Sequence, residues 1–313
     1  MKVFNNPLDF INIKNPVLTI GTFDGVHIGH QKIINQLNSE AQRVNGESVL
    51  FTFDPHPRTV VFPKSHGLKL IQNQVEKLNK LKQCALQNVI IQPFTKEFSE
   101  LTALEFVRDY LVAKIKVKTL VIGYDHQFGK NREGSLKLLS ELAPVYNFNL
   151  IEIPPQDIDD VNVSSTKIRK ALQEGDLQTA SEYLGAHFEL CGKVVTGKGI
   201  GKQIGFPTAN IELQDEMKLI PKNGVYFVKV ECLESIFFGI INIGQNPTIS
   251  DNDKLKIEIH ILDFDENLYG KKIKLHFLSH IRNEQKFENL DQLINQINQD
   301  ERTARNIIAS NSF

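Results

Sequence analysis

Apolar residues recur along this chain in two rhythms. As far as about residue 183, short apolar runs alternate with amphipathic stretches. The runs at 17–20, 48–53, 89–94, 119–123 and 147–153 predict strands, whereas apolar positions spaced three and four apart predict helices over 73–87, 102–112 and 135–142. Ile33, Ile34, Leu37, Ala41 and Val44 set a further helix directly behind the first strand. Such alternation predicts a parallel sheet with helices on its faces, and ligands in that architecture bind outside the carboxyl ends of the strands. Beyond Gly185 the strands crowd together, at 188–196, 224–232, 235–243, 255–263 and 271–278, with turn residues between them and no helical pattern long enough for a crossover. A last helix is expected over 290–309. The second half therefore reads as a mostly antiparallel barrel or sandwich, and the boundary falls near Tyr183 to His187, giving domains 1–183 and 184–313.

Composition narrows the ligands. With 313 residues, 41% hydrophobic and 23% charged, the chain has material for about two cores. Lys plus Arg less Asp plus Glu is 36 − 37 = −1, so the uniform basic field of a nucleic-acid-coating protein is missing, and small anions suit the chain better than polymers. Cys84, Cys191 and Cys232 lie far apart without C-x-x-C spacing and suggest neither a disulfide framework nor a cysteine zinc site. The first ten residues carry Lys2, Asp9 and two asparagines where a secretion signal needs an unbroken apolar segment, and no run of about 18 apolar residues occurs. The expectation is a soluble cytoplasmic protein acting on small molecules, with no nucleic acid, membrane or obligatory protein partner.

Candidate chemistry sits at the turns this pattern puts at the sheet's carboxyl edge. Gly21-Thr-Phe-Asp-Gly-Val-His-Ile-Gly-His30 joins the first strand to the following helix. A helix start offers free N–H groups and the positive end of its dipole, Gly21, Gly25 and Gly29 let the backbone come close, and His27 and His30 add directed donors. The turn reads as a nucleotide-phosphate site. Asp54-Pro-His-Pro57 follows the second strand and Gly123-Tyr-Asp-His-Gln-Phe-Gly129 a later one. Ser164-Ser-Thr-Lys-Ile-Arg169 alone is an ordinary capped helix start that Gly175 would end; beside the histidine turn its hydroxyls, with Lys167 and Arg169, could embrace a triphosphate. Moving a nucleotidyl group from ATP to an anionic acceptor needs positioning and charge stabilisation, not a protein nucleophile.

In the second half, Gly197-Lys-Gly-Ile-Gly-Lys-Gln-Ile-Gly-Phe-Pro-Thr-Ala-Asn210 is no P-loop, since Gly199 stands where a magnesium-binding Ser or Thr would be. It reads either as a plain glycine-rich hairpin or as a basic flap, with Lys198 and Lys202, laid over phosphates. Thr208 and Asn210, two apart in an extended stretch, project the same way and offer hard oxygens to magnesium and ATP. Glu258 alternates with Ile257, Ile259 and Ile261, which by itself makes it a solvated strand residue. His276 and His280 lack the glutamate and the helix of a zinc protease motif, so no metal site is expected there.

Taken together these segments resemble the bacterial bifunctional riboflavin kinase/FAD synthetases along nearly the entire chain. Gly-x-Phe-Asp-Gly-x-His-x-Gly-His at 21–30, Phe-x-Pro-His-Pro at 53–57 and Ser-Ser-Thr-x-Ile-Arg at 164–169 are similar to their nucleotidyltransferase module. Phe-Pro-Thr-Ala-Asn at 206–210, Asn223-Gly-Val-Tyr226, Glu258-x-His-x-Leu-x-Asp-Phe264 and Arg282-x-Glu-x-Lys-Phe287 are similar to their kinase module. The resemblance implies a Rossmann-like H-x-G-H nucleotidyltransferase domain followed by a mostly antiparallel β-barrel riboflavin kinase domain with a C-terminal helix. It implies phosphorylation of riboflavin to FMN and adenylylation of FMN to FAD, with ATP as co-substrate and Mg2+ as cofactor. It implies that Gly21, Phe23, Asp24, His27, His30, Ser165, Thr166 and Arg169 form the first ATP site, and that Pro55, His56, Pro57, Asp125 and Phe128 line flavin or adenine. In the kinase it implies Gly197, Lys198, Gly201, Lys202, Thr208 and Asn210 for Mg-ATP, Arg282, Glu284 and Phe287 for flavin, and Glu258 as catalytic base. Two departures stand out: His126 replaces a Phe and is expected as a tolerated surface change, and Lys198 and Lys202 stand where arginines are more usual. The rival readings are a nucleotidyltransferase of another cofactor pathway and a flavin-binding regulator that has lost the chemistry.

Overall fold

The computed structural model describes residues 1–9, 13–62, 67–124, 126–154, 163–197, 201, 204–245 and 255–310. It divides into two compact units, Met1–Ser165 and Thr166–Phe313.

The first unit is built on six strands: β1 (Lys2–Phe4), β2 (Val17–Ile20), β3 (Ser48–Asp54), β4 (Asn88–Pro93), β5 (Thr119–Gly123) and β6 (Asn149–Ile153). They form one parallel sheet in the order β1-β4-β3-β2-β5-β6. Because β2, β3, β4 and β5 are covered on both faces they read as nearly unbroken apolar runs, and alternate residues serve opposite layers. Leu18, Ile20, Val49, Phe51, Ile90, Leu120 and Ile122 pack against Phe106, Val107, Leu111 and Leu139 on one side. Val17, Leu50, Val89, Ile91 and Val121 pack against Ile34, Leu37, Ala41 and Leu81 on the other. The strand order reverses between β2 and β5, so the turns leaving these two strands flank the crevice where such sheets receive ligands.

Several helices depart from the expected spans. Asn73 closes a capping box with Glu76, and the helix it starts ends early, at Gln83. The predicted 102–112 helix begins as Ala103–Glu105 and widens into π-helical turns over Phe106–Lys114. The helix Leu136–Tyr146 runs through Pro144 and stops at Asn147, which turns left-handed at φ 57° and so delays β6 by two residues.

The second unit opens at Thr166 within the helix Ser165–Glu174, follows with the helix Leu177–Leu184 and continues as strands β7 (Phe188–Val195), β8 (Ala209–Glu212), β9 (Gly224–Cys232), β10 (Ser235–Gln245), β11 (Leu255–Ile261) and β12 (Lys272–Arg282). These close into an antiparallel barrel in the order β10-β11-β8-β7-β12-β9, which resolves the choice between barrel and sandwich. Along β7, Phe188, Leu190 and Val194 are buried in alternation with more exposed neighbours. Strand β9 is buried on both faces, because the C-terminal helix Leu290–Ser310 covers the outside: Val225 and Phe227 meet Ala304, Ile307 and Ile308.

Candidate functional site

In the first unit the histidine turn is held under strain. Phe23 and Val26 both take left-handed backbone, at φ 50° and 36°. For a β-branched residue this is a costly conformation, of a kind that concentrates at functional sites. His27 caps the helix Ile28–Arg43, its Nδ1 accepting from the His30 N–H at 3.3 Å, so the neutral ring carries its proton on Nε2. The His30 ring stacks on His27 at 3.6 Å and on Phe23 at 4.5 Å between centroids. Its Nδ1 is buried with no hydrogen-bond partner among the described residues. Burial, then the neighbouring His27 and Lys77, holds the His30 imidazole well below its ordinary titration range.

The other turn residues point inward. The Gly21 N–H donates to the Phe51 carbonyl at 3.0 Å. Asp24 is buried, and its carboxylate accepts from the N–H groups of Ile71 at 3.0 Å and Gln72 at 3.3 Å. Ser165 Oγ donates to the Asp24 carbonyl at 2.9 Å, which ties Ser165 to the turn. Thr166 and Arg169 lie on the helix Ser165–Glu174, three positions apart and so on one face. Lys77, which the sequence reading passed over, is buried and donates to the Thr22 carbonyl and to Thr52 Oγ1. Lys77 lies four residues before Leu81, on the inward stripe of its helix, a placement that marks it as buried but does not reveal its partners.

At the ends of the neighbouring strands, His56 caps the short helix Pro57–Val61 by accepting from the Arg58 N–H at 3.2 Å. Phe53, Phe94 and Phe98 form an aromatic wall beside it, each half-buried, with Phe94 edge-on to the other two; of the three only Phe53 belongs to a motif picked out from sequence. Phe128 packs against Phe106 at 5.7 Å and stacks on His126 at 5.9 Å. His126 is thus half-buried in a ring stack and not a surface change, because a neutral imidazole can occupy an aromatic position by its faces. Asp125 lies outside the described residues.

In the barrel, register brings the kinase candidates together. Asn210 of β8 and Asn242 of β10 stand directly opposite Glu258 of β11, on its two sides. Glu258 pairs with Lys256 on the same strand face at 2.6 Å. His260, two residues on, hydrogen-bonds through Nδ1 to the Pro207 carbonyl at 2.8 Å, which ties β11 to the end of the flap. Gly197 and Gly201 come close to the two side chains: a Cβ on Gly197 would sit 1.9 Å from Asn210 Nδ2, and one on Gly201 would sit 3.0 Å from Thr208 Oγ1. Only glycine permits that approach. Lys198 and Lys202 lie outside the described residues.

Arg282 forms a two-pronged ion pair with Asp300 of the C-terminal helix, at 2.9 and 2.8 Å, and lies over the Phe287 ring at 5.8 Å. Glu284 reaches back to β10, where a Cβ on Gly244 would meet its Oε1 at 2.0 Å. Asp300, buried and missed from sequence, fixes Arg282 from below. His276 contacts the carboxylates of Glu231 at 2.7 Å and Glu189 at 3.3 Å, and no cluster of three His, Cys, Asp or Glu able to hold a metal occurs among the described residues.

A parallel sheet with a histidine turn at its switch point and a closed barrel with a glycine flap define an ATP-using transferase of two modules. A model of the FAD synthetases matches residues 11–167, and a model of the riboflavin kinases matches residues 184–308. The bifunctional riboflavin kinase/FMN adenylyltransferase of Escherichia coli (strain K12) is 38% identical over 290 residues, covering 92% of this chain and 91% of its own. That of Buchnera aphidicola subsp. Acyrthosiphon pisum is 36% identical over 288 residues, 91% of each chain. A crystal structure described as a macrolide-efflux protein from Streptococcus pneumoniae superposes with a TM-score of 0.86 at 31% identity, covering 97% of this chain and 98% of that one. No helix among the described residues is long and apolar enough to cross a membrane. The chain belongs to the bifunctional riboflavin kinase/FMN adenylyltransferase family. It is an enzyme of flavin cofactor biosynthesis with both activities, and the rival readings of another pathway's nucleotidyltransferase and of a regulator without chemistry give way.

Proposed function

We propose the following division of labour among the residues. In the first module a phosphate oxygen of FMN attacks the α-phosphorus of ATP, the bond from that phosphorus to the bridging oxygen breaks, and pyrophosphate leaves. His27, His30, Ser165, Thr166 and Arg169 hold the phosphates and stabilise the charge that accumulates on the departing oxygen. Gly21, Phe23 and Asp24 shape that site from behind, since their groups face the protein. Pro55, His56, Pro57, Asp125 and Phe128 line the flavin and adenine positions, with the Phe53, Phe94 and Phe98 wall suited to a planar ring.

In the barrel Glu258 accepts the proton of the ribityl hydroxyl as its oxygen attacks the γ-phosphorus of ATP and ADP departs. The flap residues Gly197, Lys198, Gly201 and Lys202 lie over the phosphates; Arg282, Glu284 and Phe287 hold the flavin. Thr208 and Asn210 would hold Mg2+, their neutral oxygens suiting a small, hard cation that takes few protein ligands. When bound, the ion neutralises phosphate charge. The observation that carries this reading is the register Asn210–Glu258, which sets the proposed base beside the proposed metal ligand under the glycine flap.

Residues 1–183 and 184–313 serve as the two catalytic domains. Three cysteines set far apart in the sequence, with no C-x-x-C spacing, support a reducing, cytoplasmic setting, and both reactions use small molecules without an obligatory protein partner. Two variants test the scheme by chromatography of flavins. Glu258→Gln should lower FMN formation by about a hundredfold or more while FMN-to-FAD conversion stays within twofold. His30→Ala should do the reverse, with a loss of about a hundredfold. Loss of both activities in a folded variant, or of neither, refutes the assignment.

A further inference from the structure

Lys77 is a cation in an unusual place. It lies on the inward stripe of the helix Gln74–Gln83 and is only 7% exposed. A buried ammonium ordinarily touches a carboxylate, because an unpaired charge is expensive to desolvate. Among the described residues Lys77 forms no ion pair, and Asp24 and Asp54 act on it only from beyond contact distance. Burial accordingly lowers its titration from the ordinary lysine value, against the pull of those two carboxylates. The position also opposes the helix dipole, since Lys77 follows directly on the Asn73–Glu76 capping box at the positive end. Neither packing nor helix stability accounts for it.

Its contacts lead to the histidine turn. Nζ donates to the Thr22 carbonyl at 3.4 Å and to Thr52 Oγ1 at 3.3 Å, and the Thr52 hydroxyl donates to the same carbonyl at 3.2 Å. The latch is reciprocal, because the Asp24 carboxylate binds the N–H groups of Ile71 and Gln72, which lead into the Lys77 helix. The turn and this helix therefore hold each other at two points.

We propose that Lys77 is a positioning residue for adenylyl transfer, which fixes the backbone that carries His27 and His30 and sets a buried positive charge behind them. This rests on the histidine turn being the ATP site. A desolvated cation acts strongly on the charge developing on the departing pyrophosphate, and it does so without adding a proton to His30. The titratable and charged groups around this pair are His27 and Asp24 on the turn and Asp54 at the end of β3.

The test uses the full chain carrying Lys77→Met, Lys77→Arg or Thr52→Val. Lys77→Met should lower kcat/KM for FAD formation from FMN at least tenfold, chiefly through kcat, with riboflavin phosphorylation within twofold of the parent. Lys77→Arg keeps the charge and should recover at least a third of the parent rate. The His30 imidazole, followed by NMR, should titrate at higher pH in Lys77→Met and as in the parent in Lys77→Arg, a split that lost packing alone does not produce. Thr52→Val keeps the lysine but removes one partner, and should cost threefold or more in FAD formation with an unchanged thermal transition. FAD formation within twofold of the parent in folded Lys77→Met, or an unmoved His30 titration, overturns the proposal. If Lys77→Met does not fold, unchanged FAD formation in Thr52→Val overturns it. His30→Ala separates the two levels: full activity there removes the histidine turn from the mechanism, whereas inactive His30→Ala beside active Lys77→Met removes Lys77 alone.

Discussion

His30 has a neutral imidazole enclosed by two aromatic rings, and that state carries a pH signature. Its folded titration lies well below the ordinary 6.5, so the unfolded chain binds a proton there before the folded chain does. Stability is therefore unaffected by His30 above about 6.5 and falls as the pH drops below it. Urea unfolding of the first unit should show that decline, and His30→Asn should flatten it relative to the parent. A second prediction concerns Gly197. An added methyl would sit 1.9 Å from Asn210 Nδ2, so Gly197→Ala must displace either the flap or the amide. Riboflavin phosphorylation should fall about tenfold or more, with a raised KM for ATP and unaltered FAD synthesis from FMN. The motif residues were legible because turn chemistry is local in sequence. Lys77 and Asp300 were not: each looks like an ordinary charge on a helix, and only a partner 55 residues away for one and 18 for the other gives it meaning.

Among the elements, the C-terminal helix is tied to the barrel by more than its apolar stripe. Asp300 is 3% exposed and takes both prongs of Arg282, with a further bond from Gln296 Nε2 at 2.9 Å. Asp300→Ala leaves that guanidinium without its buried counter-charge, and should lower the stability of the second unit by about 3 kcal/mol or more. Chemical denaturation measures this, and a raised KM for riboflavin should accompany it if Arg282 loses its orientation over Phe287. Strand and helix positions were largely legible from periodicity, and the exceptions have local causes. Strand β12 continues four residues past its expected end because two register shifts, at 277/279 and 280/282, break the alternation on which the pattern depends. Strand β1, three residues long, is too short to show any period and is set by pairing with β4. The helix expected over 135–142 continues for another turn, through Pro144, to the left-handed Asn147.

For the whole molecule, the two family matches fall on successive stretches of the chain, residues 11–167 and 184–308, and each compact unit has its own core. Mixing Glu258→Gln with His30→Ala protein should restore conversion of riboflavin to FAD, because FMN released by one chain can diffuse to the other. Chromatography of the mixture decides this, and an inactive mixture of two singly competent proteins would mean that FMN must be used by the chain that makes it. The change of rhythm near residue 185 made the passage from parallel sheet to antiparallel barrel legible in the sequence. Which strands close the barrel was not, since the neighbours β7 and β12 are separated by almost the whole unit and no local pattern encodes that pairing.

That closure has a consequence for biosynthesis. The wall is sealed only by β12, which bonds to β7 on one side and β9 on the other. On the ribosome, β7 to β11 emerge first and present two raw edges until the final strand arrives. A nascent chain terminated before Lys272 would leave those edges as templates for sticking to other proteins, and would be material for cellular quality control instead of a slower kinase.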